Sequence, residues 1–498
     1  MLAKRSLTLA LALLLIAAIP ARAASFPAIT VVDTIQPGLA SSNALWSSGR
    51  LGDYLYFSAD DGVNGYELWR TNGTSTNRVA DINLAVGAGS NPNGFTALND
   101  WLYFQAADAT EGNELWRTNG TTTELFADIN STGGTGSSDP AEFTVVGDWL
   151  YFSATQGDAD RELWRTNGTN TSRVSDIWPE ANGSSPSGLT AVGDYLYFIA
   201  DDGTHGLELW RTNGTESGTT LVKDIRAGLQ SDWGLPFAAF RGYLYFNVDD
   251  GTHGYELWRT DGTEAGTAMV EDINDDSGNS NPSGFTALGD WLYFRADDGT
   301  HGYELWRTDG TTTQLVENIN TANGGANDSD PYGFTALNGY LYFNAYESTH
   351  GAEIWRTNGT TTALVEDIST GNGGADSSNP NYLTVLGDWL YFVATDGTRG
   401  YELWRIDDEG TTSSVAVPGT SAGVGCMCAR PLSAMDGRLF IAMYSDETGS
   451  EFAYLDEPTY GLPGTNRDVS EWSTALVLLA AITAVAGVGL RMRGASRS

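Results

Sequence analysis

The chain has 498 residues, 41% of them hydrophobic and 11% aromatic, which excludes a disordered or fibrous polypeptide and leaves ample length for a large core. It carries 26 Lys and Arg against 63 Asp and Glu, a formal charge of −37, and a field of that sign repels phosphate backbones, so nucleic acid is not expected as a partner. Six of the basic residues sit in the two ends (Lys4, Arg5, Arg22, Arg491, Arg493, Arg497), so the middle holds 20 basic against 63 acidic residues, net −43.

At the N-terminus, Lys4 and Arg5 precede an apolar run from Leu7 to Ile19 and the small-residue site Ala21-Arg22-Ala23. Residues 1–23 therefore read as a signal peptide. Residues 24–458 are then organised by a repeat. The tripeptide Glu-Leu-Trp (Glu-Ile-Trp once) ends at Trp69, Trp116, Trp164, Trp210, Trp258, Trp306, Trp355 and Trp404, with spacings of 47, 48, 46, 48, 48, 49 and 49 residues. A degenerate ninth copy, Glu451-Phe452-Ala453, follows.

The sixth copy shows the internal order. Phe285–Leu288 is strand a, Trp291–Ala296 strand b, Tyr303–Thr308 strand c and Gln314–Ile319 strand d. Gly289-Asp290 and Asp309-Gly310-Thr311 are turn signals, the second favouring positive φ. Aromatic and β-branched residues between turn signals read as strands, and units of four strands over 40–50 residues are the propeller signature. Nine b strands are expected, beginning at Tyr54, Trp101, Trp149, Tyr195, Tyr243, Trp291, Tyr340, Trp389 and Arg438. The last copy lacks a clear strand d, and Ile29–Ile35 matches one. The expectation is an all-β propeller of nine four-stranded blades, closed by the N-terminal strand, with eight blades plus an irregular extra as the alternative.

The run Glu304-Leu305-Trp306-Arg307-Thr308-Asp309-Gly310-Thr311 resembles the ELWxxDGT repeat family of secreted and surface bacterial proteins. The resemblance covers roughly residues 29–455. It implies export and a propeller-like fold, and no established activity. The stretch from Ala296 through Asp297-Asp298-Gly299-Thr300 to Trp306 is similar to the tryptophan-docking motif of quinoprotein propellers. That likeness implies that the repeated indoles, Trp69 to Trp404, pack between neighbouring blades. Quinone chemistry does not carry over, because those enzymes use a vicinal Cys-Cys, and Cys426 and Cys428 here are spaced C-x-C.

The candidate chemistry is sparse. All four histidines (His205, His253, His301, His350) occupy one repeat position in the b–c loop, too far apart from blade to blade to share an ion, and read as turn residues. Two pattern breaks, Trp233-Gly234-Leu235-Pro236 and Cys426-Met427-Cys428, are expected to lie away from the axis. The glutamate of strand c recurs in all nine copies, which suits a structural acceptor better than a catalytic acid. Its expected donors are backbone amides or the arginine three residues on in an adjacent blade, such as Arg259 or Arg307. The acidic loops offer a second reading: Asp249, Asp250, Asp297 and Asp298 crowd one face and supply the oxygen ligands Ca²⁺ takes, although no loop holds a full calcium-binding run. The alternative for that acidity is adaptation to salt. Turns such as Asn72-Gly73-Thr74 also satisfy N-x-[ST]. No nucleophile elbow, phosphate loop or dinucleotide fingerprint occurs.

Residues 459–472 read as a linker. Ser473–Leu490 gives 18 uncharged, mostly apolar residues, enough for one transmembrane helix, and 491–498 form a basic tail that the positive-inside rule places in the cytoplasm. The segment from Ser470-Glu471-Trp472 onward resembles the C-terminal sorting signals of bacterial surface proteins. The functional expectation is an exported, surface-anchored propeller that binds an extracellular protein or glycan. The alternative is an exported polysaccharide hydrolase or lyase with a site in the channel. Truncation after Glu471 is expected to release the protein into the medium, checked by fractionation; retention in the membrane fraction requires another anchor.

Overall fold

The computed structural model describes residues 24–25, 29–33, 35, 47–131, 136–157, 159–179, 183–228, 233–370, 376–398, 400–407, 409–415, 429–445 and 449–460. Residues 1–23, 473–490 and both cysteines lie outside these. Among the described residues no helix is long and apolar enough to cross a membrane.

Residues 29–455 form one unit of nine four-stranded antiparallel sheets, the blades of a propeller. In blades 1–8 the strands run a-b-c-d in chain order, and the b strands begin at the expected residues. In blade 6 they are Ser283–Leu288, Trp291–Asp297, Tyr303–Thr308 and Thr313–Glu317. Neighbouring a strands pack on one another, which makes them the innermost. Outside this unit Ala24–Ser25 pairs antiparallel with Thr459–Tyr460, so the expected linker begins with a strand.

Strand b supplies the packing. Its alternation sends Leu55, Phe57 and Ala59 into a cluster with Met435, Phe440 and Tyr454 of blade 9, and Tyr56 into a cluster with Leu102, Phe104 and Ala106 of blade 2. Full burial of each large side chain contributes about 1.5–3 kcal/mol. Among the described residues eight of the nine interfaces show this scheme, and each of the eight indoles from Trp69 to Trp404 packs in a cluster drawn from its own blade and the preceding one. The indole nitrogen of Trp404 donates to the carbonyl of Ala394, ten residues earlier, at 3.1 Å.

The ring closes with the N-terminal strand. Thr30–Asp33 pairs antiparallel with Gly449–Asp456 and is the fourth strand of blade 9, with Thr30 opposite Tyr454 and Val31 opposite Ala453. Blade 9 then meets blade 1 through the Arg50–Asp436 ion pair at 2.7 Å and a bond from Arg438 to the carbonyl of Asn72 at 2.6 Å. Deleting residues 29–35 leaves the Gly449–Asp456 strand as an open edge. The expected result is a thermal midpoint lowered by several degrees in a calorimetric scan, with association between chains through that edge; an unchanged midpoint would refute closure by this strand.

Candidate functional site

The repeated glutamate sets the architecture of the face where b–c loops and d–a connections meet. Seven of these residues, Glu67 to Glu353, are almost fully buried. Glu256 accepts from the amides of Ile273 (2.8 Å) and Ser280 (2.9 Å) and from the hydroxyl of Ser280 (2.6 Å). The same triple contact joins Glu67 to Ile82 and Ser90, Glu114 to Ile129 and Ser138, and Glu353 to Ile368 and Ser378. Each serine is fully buried, and its carbonyl accepts from strand b of the next blade, as Ser280 does from Asp297 at 3.0 Å. The serine is therefore a rivet between one blade's glutamate and the following blade.

The arginine expected as the glutamate's partner lies elsewhere. It sits three residues further along strand c, about 10 Å away at the c–d turn end. There Arg307 stacks on Trp291 (4.2 Å) and donates to the carbonyl of Gly359 in blade 7 at 2.8 Å, and Arg259 stacks on Tyr243 (4.5 Å).

Burial pushes the carboxyls of Glu208, Glu256 and Glu304 up to about 7, outweighing the donors around them.

The acidic b–c loops close on themselves. Asp250 accepts from the amides of Thr252 and His253 through one oxygen (both 2.9 Å) and meets the His253 imidazole through the other at 2.8 Å. Asp298 does the same with Thr300 and His301. Asp249 accepts from Gly251 and pairs with Arg226 at 2.6 Å, and Asp297 accepts from Gly299. In blade 1 the amide of Asn64 makes the histidine's contact to Asp61 at 2.9 Å, so the ring acts as a loop-locking donor. Burial opposes ionisation of Asp202, Asp250 and Asp298, but the loop donors overcome it and hold these carboxyls below their usual range. Among the described residues one group of three carboxylates is close enough to share an ion, Asp160, Glu162 and Asp176, and Asp249, Asp250, Asp297 and Asp298 are not part of it. Arg173 bridges Asp160 and Asp176 there at 3.0 Å each, placing a guanidinium where a cation would sit.

The remaining site lies at the inner end of the same face. In six blades strand a starts with a bulge whose second residue has positive φ: Gly94, Gly188, Gly284 and Gly333 in blades 2, 4, 6 and 7, but Glu142 (φ 61°) and Tyr382 (φ 56°) in blades 3 and 8. A Cβ at Gly284 would meet the Phe334 ring of the next blade at 2.7 Å, which fixes glycine there. Glu142 precedes a blade that presents Leu189 instead, and its carboxylate accepts from the amides of Gly188 (2.9 Å) and Leu189 (3.2 Å).

Between blades 6 and 8 the inner strands enclose an open cavity of about 540 Å³, bordered by Ser283–Thr286, Arg295, Pro331–Thr335 and Asn381–Leu383. Arg295 stacks on Tyr303 (3.8 Å) and pairs with Asp330 (2.7 Å). The Tyr332 hydroxyl accepts from Asn344 at 2.8 Å, and burial, with Tyr401 and Asp330 nearby, pushes its phenol up. The pattern breaks near the axis are thus Glu142, Arg295, Tyr332 and Tyr382. The Trp233–Pro236 break also falls on an innermost strand, Trp233–Phe240, and not away from the axis; Cys426 and Cys428 lie outside the described residues.

No protein-family model matches the chain, and no curated protein matches it. Solved structures with a similar arrangement include a prolyl endopeptidase (13% identical, TM-score 0.40, covering 71% of this chain and 54% of that one). Others are a puromycin hydrolase (12%, TM-score 0.37, 75% and 62%) and prolyl oligopeptidase B from Galerina marginata (11%, TM-score 0.38, 71% and 55%). The chain spans little more than half the length of these proteins, and at this similarity they carry no argument about its activity.

The buried glutamates make stability depend on pH. The folded carboxyls of Glu208, Glu256 and Glu304 stand near 7 against an ordinary value of 4.5, so the folded state holds their protons more tightly. Their contribution is fully present below pH ~4.5 and is lost as pH rises through about 7, at most about 3 kcal/mol apiece. Urea midpoints at constant ionic strength are expected to fall between pH 5.5 and 8.5, and Glu304→Gln to flatten the decline; a midpoint that rises over that range contradicts it.

Proposed function

We propose that the chain is an exported, surface-anchored propeller that binds an extracellular protein or glycan at the axial mouth of the b–c face. One observation carries this reading. Two cross-strand pairs lie one above the other on strands a and b. The deeper pair is Thr opposite Tyr in blade after blade: Thr96/Tyr103, Thr144/Tyr151, Thr190/Tyr197, Thr286/Tyr293, Thr335/Tyr342, Thr384/Tyr391. The pair nearer the mouth differs every time: Asn93/Gln105, Ala141/Ser153, Ser187/Ile199, Ser283/Arg295, Tyr332/Asn344, Asn381/Val393. Of the strand b members Ser153, Ile199, Asn344 and Val393 are buried, so the variation that reaches the rim is that of the strand a residues with Gln105 and Arg295, and it supports a recognition surface that differs from blade to blade.

The cavity has the size of a small-molecule or side-chain site, about 300–1,000 Å³. Its border contains hydroxyls, amides and aromatic rings, and no pair of carboxylates of the kind glycoside hydrolysis uses. Export and anchoring rest on residues 1–23 and 473–498.

The test is to screen the purified ectodomain against arrays of immobilised glycans and extracellular-matrix proteins, alongside a panel of polysaccharide hydrolase assays. Binding that Tyr332→Ala weakens, without turnover, supports the reading. Turnover of any polymer, or binding indifferent to Tyr332→Ala, overturns it.

A further inference from the structure

The axial cavity between blades 6 and 8 combines three features that select its ligand. Its aromatic border is Tyr332 and Tyr382, backed by the Phe285 and Phe334 rings. Its polar border is uncharged apart from Arg295, whose guanidinium is already paired with Asp330 at 2.7 Å. It also opens in the strongly acidic middle of the chain, whose field repels polyanions and so disfavours uronate or sulfated polymers. Aromatic faces beside hydroxyl and amide groups match a sugar ring, which presents an apolar C–H face and a rim of hydroxyls.

Tyr382 adds a second, independent observation. It occupies the bulge position that is glycine in blades 2, 4, 6 and 7, and it holds φ 56°, a conformation that L side chains adopt at a cost. The other exception, Glu142, uses its side chain to bond the backbone of the next blade. Tyr382 borders the cavity. Its amide is capped by the side chain of Asn381 at 2.8 Å, and the Thr384 hydroxyl donates to its carbonyl at 3.1 Å, so the residue is fixed from both sides. Blade 8 thus keeps a ring where glycine would relax the backbone.

We propose that this cavity binds a neutral glycan, with Tyr382 held in a left-handed backbone conformation as the platform on which a sugar ring stacks. The proposal rests on the reading of the axial mouth as a binding site, and adds the ligand's class and the residue that selects it.

The experiment uses the whole ectodomain and titration calorimetry with neutral hexasaccharides (cellohexaose, chitohexaose and mannohexaose). Polygalacturonate serves as the anionic arm, and thermal melts accompany each variant. Tyr382→Gly is expected to hold the melting temperature within about 2 °C of the parent or raise it, because glycine suits the backbone. It should weaken binding of the neutral hexasaccharide at least about tenfold, as loss of an aromatic anchor does. Tyr382→Phe, which keeps the ring, should retain binding. A melting temperature that drops with Tyr382→Gly, with binding lost only in proportion, assigns Tyr382 to packing and overturns the proposal. Unaltered binding by Tyr382→Gly overturns it as well, and so does the absence of binding by every neutral hexasaccharide. Binding of polygalacturonate alone, still weakened by Tyr332→Ala, overturns the ligand class while leaving the mouth a binding site.

Discussion

The fold depends on a carboxylate buried where it must be satisfied. A glutamate taken out of water costs several kcal/mol unless donors surround it, and six blades supply the same set: two backbone amides and a serine hydroxyl at 2.5–2.7 Å. Because the serine belongs to the connection into the next blade, satisfying the glutamate also sets where that blade begins. One interaction therefore fixes both the start of strand c and the arrival of the following strand a. At the opposite end the arginine on the aromatic ring of strand b, reaching to the next turn, limits blade-to-blade rotation.

A scaffold clamped at both ends leaves little freedom for function except in the residues that the clamps do not use. Those are the first two residues of strand a, the second of them at the bulge. They converge at the axis because strand a is innermost and begins at the face of the b–c loops. The chain's large negative charge stays mostly on loops whose aspartates are bonded within their own turns, so the acidity surrounds the mouth without entering its border.

Much of this was legible in the sequence. The b strands begin at the expected residues because the Trp/Tyr-Leu-Tyr-Phe run carries both the apolar burial and the turn before it. Nine blades followed from counting that run, and the N-terminal closing strand from the missing strand of the last copy. The glutamate was visible as structural and backbone amides were among its expected donors; the alternative donors, Arg259 and Arg307, recur at a fixed spacing and have the complementary charge, but strand rise carries them to the other end of the blade. The serine was present in the sequence 22–25 residues after each glutamate, hidden because the Gly/Asn/Ser-rich connection varies in length. The mouth was missed for a different reason. Tyr382 and Glu142 look unremarkable until the bulge shows that their neighbours in the repeat are glycine with positive φ, and Arg295 reads as an ordinary strand residue until the a strands are known to be innermost.

The closing strand has a kinetic consequence. Every blade but the last is assembled from hairpins whose partners are close in sequence, and such pairings form early and fast. The pairing of Val31 with Ala453 joins residues 422 positions apart. From the unfolded chain that closure costs about 5 kcal/mol of loop entropy, against about 2.5 for a local hairpin. The first strand synthesised must therefore wait for the last, so eight complete blades can stand as an open arc with two unpaired ends. The lifetime of that arc is set by how soon its closing strand finds the last blade.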